Sequence, residues 1–301
     1  MTISIAKKEG LLRKFDENLD VDGWTFTENG PNEPERDLLV HFDVVITELK
    51  KLKPEYLEII KDVTIKMGNG MADYAVDAEF NANGVDKIVD YELYCHYVAG
   101  LVGEGLTRLF VESTLASQRL KEEPQLTESM GQFLQKNNII RDVHEDFVEK
   151  RRFWPKEIWS KYVNTWDDLF KPENREIAIH CSSDMILNAL KHVEDCLSYI
   201  GSIHDQSVFN FVAIPQCMAM ATLELAFRNP AVFERNVKIT KGSACQLMME
   251  STQGMTSVCK VFRRFVRRIS AKNDRSDPNY DGIKTRCVEV SLTPGRGART
   301  S

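Results

Sequence analysis

Apolar residues recur at helical spacing along nearly the whole chain, and the alternation that marks strands is scarce. The pattern predicts helices over residues 34–48 and 55–80, with Pro54 marking the start of the second, and a loop near Asn81 to Gly84. A helix over 88–116 follows, then a charged connection over 121–125 that holds Pro124. The next helix, over 127–150, should end before Pro155, because a residue preceding proline is pushed out of the helical region. Helices over 174–201, 207–228 and 241–270 complete the set. No internal repeat or low-complexity stretch divides the chain, so the expectation is a single all-α domain over 1–271. The closing run DGIKTRCVEVSLTPGRGARTS lacks helical periodicity, and residues 272–301 are expected to form a disordered tail.

Composition narrows the class without naming the chemistry. With 301 residues, 43% of them hydrophobic, there is material for one large core. The net charge of −6 argues against a general nucleic-acid binder, which wants a basic face. Seven scattered cysteines include no pair at CxxC spacing, and an odd number is a poor disulfide framework, so a reducing compartment is the simpler reading. No N-terminal signal peptide and no run of 18 apolar residues is evident. The longest candidate, Phe209 to Ala226, contains Asn210, Gln216, Thr222 and Glu224, and is expected to be a core helix.

The stretch NIIRDVHED, Asn138 to Asp146, carries the clearest candidate chemistry. At 3.6 residues per turn, Gln135, Asn138, Asp142, Glu145, Asp146 and Glu149 fall on one stripe of a helix. Carboxylates at i, i+3 and i+4 can converge within about 6 Å, close enough to hold a hard cation. Magnesium takes a few carboxylates and completes its shell with water and phosphate oxygens. Arg141 precedes the acids, and Lys150, Arg151 and Arg152 follow them, so acid and base together suggest a metal-bridged diphosphate. By itself an acidic triplet is more often a solvated helix face.

Two other segments could line an apolar site. Gly100, Gly103 and Gly105 each cost about 1 kcal/mol relative to alanine inside a helix. Either close helix packing compensates, or a groove for a hydrocarbon chain lies beside Tyr94, Tyr97, Val98 and Leu101. In SVFNFVAIPQCMAMAT, Phe209, Phe211, Ile214, Met218 and Met220 are core residues or chain-lining ones, and Pro215 should kink the helix.

Four blocks, YCHYVAGLVG (Tyr94 to Gly103), SMGQFLQKNNIIRDVHED (Ser129 to Asp146), FWP (Phe153 to Pro155) and SVFNFVAIPQCMAMAT (Ser207 to Thr222), occur in this order. In order and separation they resemble the squalene synthases of the squalene and phytoene synthase group, from about residue 1 to about residue 280. The resemblance implies a helical isoprenoid-synthase fold. It implies that two farnesyl diphosphates are joined head to head through presqualene diphosphate, which NADPH then reduces to squalene. The implied catalytic residues are Tyr94, Phe211, Asp142 and Asp146, with Asp142, Glu145 and Asp146 as ligands of Mg2+. Tyr94 would meet the departing diphosphate or take up a proton, and the ring of Phe211 would stabilise a carbocation. Arg141 and Lys238 match positions that hold NADPH, and Tyr97, Val98, Leu101, Gln135, Asn138 and Arg151 would contact substrate. The implied protein is a monomer at the endoplasmic reticulum membrane, facing the cytosol, whereas the residues by themselves imply a soluble chain.

Three departures qualify the resemblance, the first being the closing run described above, where the family would continue into another helix. The family's VKIRKG reads VKITKG here, with Thr240 in place of an arginine and Lys241 kept. A first aspartate-rich motif would stand just upstream of the segment resembling MTIS, so the chain is expected to lack the N-terminal helices and half of the metal site; Asp16, Glu17, Asp20 and Asp22 do not occupy that position. The alternatives are an inactive homologue that binds isoprenoid diphosphate or partner subunits, and a non-reducing synthase of the phytoene or dehydrosqualene type.

Overall fold

A computed structural model describes residues 5–33 and 35–293. The first helices are α1 (Ile5–Arg13), α2 (Phe15–Asn18), α3 (Arg36–Val40), α4 (Phe42–Leu49), α5 (Pro54–Val76) and α6 (Ala78–Asn83). Pro54 opens α5 at a position where its missing N–H costs nothing, as expected. The predicted loop at Asn81 is instead the end of α6, which Asp77 caps by accepting from the backbone N–H groups of Glu79 and Phe80. The loop begins at Gly84, whose φ of 73° suits glycine. Around α2 and α4 a small core forms from Leu19, Phe42, Ile46 and Leu49, with the rings of Phe15, Trp24 and Phe42 packed edge to face.

The predicted helix over 88–116 is divided. It consists of α7 (Ile88–Cys95), a π turn (His96–Gly100) and α8 (Leu101–Glu112). After α9 (Arg119–Glu122), the predicted helix over 127–150 is also two, α10 (Pro124–Arg141) and α11 (Val143–Val148), broken at Asp142. The short α12 (Lys156–Trp159) leads to α13 (Arg175–Leu190), α14 (Val193–Ile200), α15 (Gln206–Ala226), α16 (Lys241–Ser251) and α17 (Met255–Lys272). Among the described residues the only β pairing is a single bridge between Ala116 and Ile203, so the fold is all-α.

The expected disordered tail is corrected in its described part, where α18 (Tyr280–Leu292) packs against α13, α14 and α17. Ile283, Cys287 and Val290, spaced i, i+4, i+7, form the buried stripe of an amphipathic helix. Residues 294–301 lie outside the described part of the chain.

Helix α10 runs through the middle of the large core, against α7, the π turn, α8, α13, α14 and α15. Eleven of its 18 residues are buried, polar Ser129, Gln132, Lys136 and Asn137 among them. Helix α15 is long and apolar enough to cross a membrane by length and composition, and 56% of its apolar window is buried here against α10, α16 and α17. It continues through Pro215, which offers no N–H to the carbonyl one turn back.

Candidate functional site

The break at Asp142 sets the geometry of the acidic cluster. There the backbone leaves helical values, at φ −94° and ψ 9°, so Asp142 no longer continues the α10 stripe. The Arg141 guanidinium grips the Asp142 carboxylate with two hydrogen bonds, of 2.7 and 2.5 Å. From the segment before α16, Asn236 Nδ2 donates to Asp142 Oδ1 at 2.7 Å and to Glu145 Oε2 at 2.9 Å. One small donor thus sits between two carboxylates. The amide oxygen of Asn236 is buried and has no hydrogen-bond partner among the described residues. Two carboxylates gathered around one point, with an unpaired carbonyl oxygen beside it, are a donor set that fits a hard divalent cation.

Asp146, the third expected ligand, points elsewhere. Its carboxylate accepts from Arg151 at 3.0 and 2.8 Å, and burial pushes its pKa up to about 6, against the partial opposing pull of Arg151. The turn that ends α11 brings Arg151 back. The N–H of Arg151 bonds the Asp146 carbonyl and that of Lys150 bonds the Phe147 carbonyl, the two bonds of a Schellman motif, with Lys150 at φ 61° where glycine is usual. No group of three His, Cys, Asp or Glu side chains able to hold a metal ion occurs among the described residues. Of the expected triplet, Asp142 and Glu145 are bridged by Asn236 while Asp146 is paired with Arg151, and Asp142 and Glu145 lie close enough to Asp146 to add to the rise in its pKa. Gln135 is half-buried and Asn138 exposed on the last turns of α10 leading to Asp142.

Tyr94 lies in an aromatic group on the side of α7 near Asp146. Its ring stacks on Phe153 at 5.0 Å and meets Tyr74 edge to face at 5.2 Å. Burial pushes the phenol up to about 12, with Cys95 and Asp146 adding to the rise. Tyr94 therefore keeps its proton at neutral pH; the pull of Arg151 is outweighed by burial, so the phenol is not lowered as a proton relay would require. Next to this group is a cleft of about 690 Å³ lined by Tyr74, Phe80, Tyr97, Arg152 and several carboxylates.

An apolar cavity of about 230 Å³ opens beside the π turn, lined by Val98, Val102, Leu106, Phe110, Leu134 and Phe211, with Pro215. Phe211 is 56% exposed at its lip and meets Phe110 edge to face. Of the four residues expected along one groove, Val98 alone faces this cavity. Tyr97 lies over Gly70 of α5 and faces the polar cleft, and Leu101 is buried. The π turn is the cause, since one extra residue in a turn rotates every later residue by about 100° relative to an α-helix. Two of the three glycines serve close packing, since a Cβ on Gly100 would strike the Glu128 carboxylate and one on Gly105 would press on Val63, while Gly103 lines the apolar cavity.

Comparison with known proteins decides the family. The squalene/phytoene synthase profile matches residues 4–243. A Neurospora crassa protein named "Probable squalene synthase" is 72% identical over 96% of the chain, and a squalene synthase of Gibberella zeae is 60% identical over the same share. A squalene synthase of a Phoma species is 58% identical over 96% of this chain and 69% of its own length. This chain belongs to the squalene/phytoene synthase family. It spans 60% and 62% of the Neurospora and Gibberella relatives. Two solved complexes of TcSQS with ligands superpose with a TM-score of 0.90 at 37% identity, covering 97% of this chain and 83% and 84% of theirs.

The two basic residues that the family resemblance assigned to NADPH have different surroundings. Arg141 is engaged at the acidic cluster, while exposed Lys238 lines a separate cavity of about 340 Å³ with Glu224, Gln246, Arg264 and Arg268. Thr240, where this family member departs from VKIRKG, is the N-cap of α16 and accepts from the Ser243 N–H at 3.1 Å. Asp20 and Asp22, acids at the start of the chain, pair with Lys61 and Lys50.

Two polar features were not read from the sequence. Asn236 lies 94 residues from Asp142, and no spacing rule connects them. Lys136 shows no exposure, and its ammonium donates to Asn188 Oδ1 at 2.7 Å, Glu92 Oε1 at 3.2 Å and His192 Nε2 at 2.9 Å. Burial pushes Lys136 down to about 8 and keeps His192 neutral, at about 2. A neutral imidazole that accepts at Nε2 donates from Nδ1, here to Ser129 Oγ at 3.0 Å, and Ser129 donates to Asp195 at 2.9 Å. The buried signal was Lys136 itself, inside the run of a core helix.

Proposed function

We propose that this chain is the catalytic part of a squalene synthase, which joins two farnesyl diphosphates head to head through presqualene diphosphate and reduces that intermediate with NADPH. The observation that carries the reading is the Asp142–Asn236–Glu145 cluster, with Tyr94 near the same acidic segment and the apolar cavity on the other side of α7 and the π turn. Its relatives' names support the same activity. Mg2+ held at Asp142 and Glu145, with Asn236 turned to present its oxygen, would neutralise diphosphate charge. Arg141 and Arg151 add positive charge beside that position. Tyr94, protonated at neutral pH, donates a hydrogen bond to the leaving diphosphate. The apolar walls exclude water, and the open ring face of Phe211 lies where a carbocation can rest on it. Lys238 would hold a phosphate of NADPH in the cavity shared with Arg264 and Arg268. With this activity comes a place at the endoplasmic reticulum membrane, facing the cytosol.

The test is Tyr94→Phe in a protein of the relatives' full length, supplied with farnesyl diphosphate, Mg2+ and NADPH. The variant should fold normally and accumulate neither presqualene diphosphate nor squalene. If presqualene diphosphate forms at the unaltered rate, Tyr94 serves packing alone. A non-reducing synthase is a second reading, favoured by Thr240, which is spent on capping α16 where the family pattern has an arginine. Omitting NADPH separates the two: a product unchanged without it supports the non-reducing enzyme.

A further inference from the structure

We propose that the π turn His96–Gly100 fixes the angular phase between Tyr94 and the wall of the apolar cavity, and that Gln132 is the positioning residue that holds this turn. The proposal rests on the reading of that cavity as the seat of a prenyl chain.

The Leu101 N–H donates to the His96 carbonyl five residues back, the bond that defines a π turn. In an uninterrupted α-helix residues 94, 97, 98 and 101 would share one face. With the extra residue, Tyr94 and Tyr97 turn toward the aromatic cleft while Val98 and Ala99 enter the wall of the apolar cavity. A π turn is rare because an α-helix is the better local solution, so contacts from outside must hold it.

Those contacts come from α10. Gln132 is 3% exposed, and its Nε2 donates to the Glu92 carbonyl, one turn before the π turn, at 2.7 Å. The same nitrogen donates to Glu128 Oε1 at 2.7 Å, and the other Glu128 oxygen lies 2.8 Å from His96 Nδ1. A single amide thus ties the carbonyl before the turn to the side chain that opens it. Beside it, Gly131 lets the α10 backbone rest on the turn, since a Cβ there would stand 2.7 Å from the Ala99 carbonyl and 2.8 Å from the Gly100 nitrogen. The Gln132 Oε1 is buried without a partner among the described residues, so the residue serves through its two donor bonds.

Three variants test this. Gln132→Met keeps the length and loses both donor bonds, His96→Ala loses the bond to Glu128, and His96→Gln restores a donor there. Binding of inorganic pyrophosphate and of farnesyl thiolodiphosphate, both with Mg2+, is measured by calorimetry, and amide exchange is followed at residues 96–101. Gln132→Met and His96→Ala should hold pyrophosphate within about twofold of the parent, lose about tenfold for the prenyl ligand, and exchange faster across the turn. His96→Gln should return to parent values. A parallel change in both ligands, or no change in either, overturns the proposal. A parent protein that binds the two ligands equally well would instead refute the prenyl reading of the cavity on which the proposal rests. Should Gln132→Met fail to fold, the two His96 variants decide the matter.

Discussion

Helix α10 carries two polar clusters, and they differ in what they leave unused. In its middle, Lys136 spends all three ammonium protons on Glu92, Asn188 and His192, and the chain of donors ends at Asp195. At its end, Asp142 accepts two bonds from Arg141 and shares one amide donor with Glu145, and among the described residues the oxygen of that amide has no partner. The first cluster holds four helices together around a buried lysine whose three protons are all engaged. The second is held by Arg141 and Asn236, with Glu145 exposed and Asp142 partly so. Ligand capacity follows from unspent hydrogen-bonding groups, and charge count is a poor guide to it.

The largest effect should come from the satisfied cluster. Lys136→Ala leaves Glu92 with only Lys191 as its basic partner and opens a hole beside Tyr91, and should cost about 3–5 kcal/mol in denaturant unfolding. Lys136→Met fills the space and should cost much less. The lowered pKa of Lys136 means that its share of stability is lost as pH falls through about 8, and the Met variant should lack that dependence. An alanine variant within about 1 kcal/mol of the parent would break the distinction between the clusters.

Next comes the pH response of Asp146, beside the second cluster. Asp146 is raised from 3.8 to about 6, so in the metal-free protein its contribution to stability is full below about pH 4 and is lost as pH rises through about 6. Comparing unfolding of the parent and Asp146→Asn from pH 4 to 7 isolates this slope, expected to be on the order of 2 kcal/mol. No difference in slope would mean that Asp146 ionises as an exposed carboxylate does.

How far the sequence told the two clusters apart depends on the physical signal each leaves. The all-α fold was legible because helical spacing brings distant letters onto one face; the acidic run stood out by its composition, but not the way its side chains are aimed. The break at Asp142 and the π turn were not legible, because both depend on packing against other helices and a period of 3.6 residues assumes neither. Asn236 reaches the cluster only through the tertiary fold. The helix Tyr280–Leu292 was legible in principle, through Ile283, Cys287 and Val290, but its short stripe sits among polar residues. Lys136 sits in a stretch that reads as half polar, and only burial reveals its role.

The smallest expected effect concerns the turn that aims Arg151. Lys150→Gly should stabilise the protein by about 1 kcal/mol, because Lys150 occupies a left-handed conformation at φ 61°. A loss of stability would show that the lysine side chain, and not its backbone, holds the turn.

The central claim, that the end of α10 is the cation-dependent diphosphate site and its middle is not, is tested most directly by titrating farnesyl thiolodiphosphate with and without Mg2+ into the parent, Asp142→Asn and Lys136→Met. Mg2+ should tighten binding to the parent and to Lys136→Met alike, and Asp142→Asn should lose at least about tenfold of that gain. Equal gains in Asp142→Asn and the parent, or loss of the gain in folded Lys136→Met, would contradict the claim.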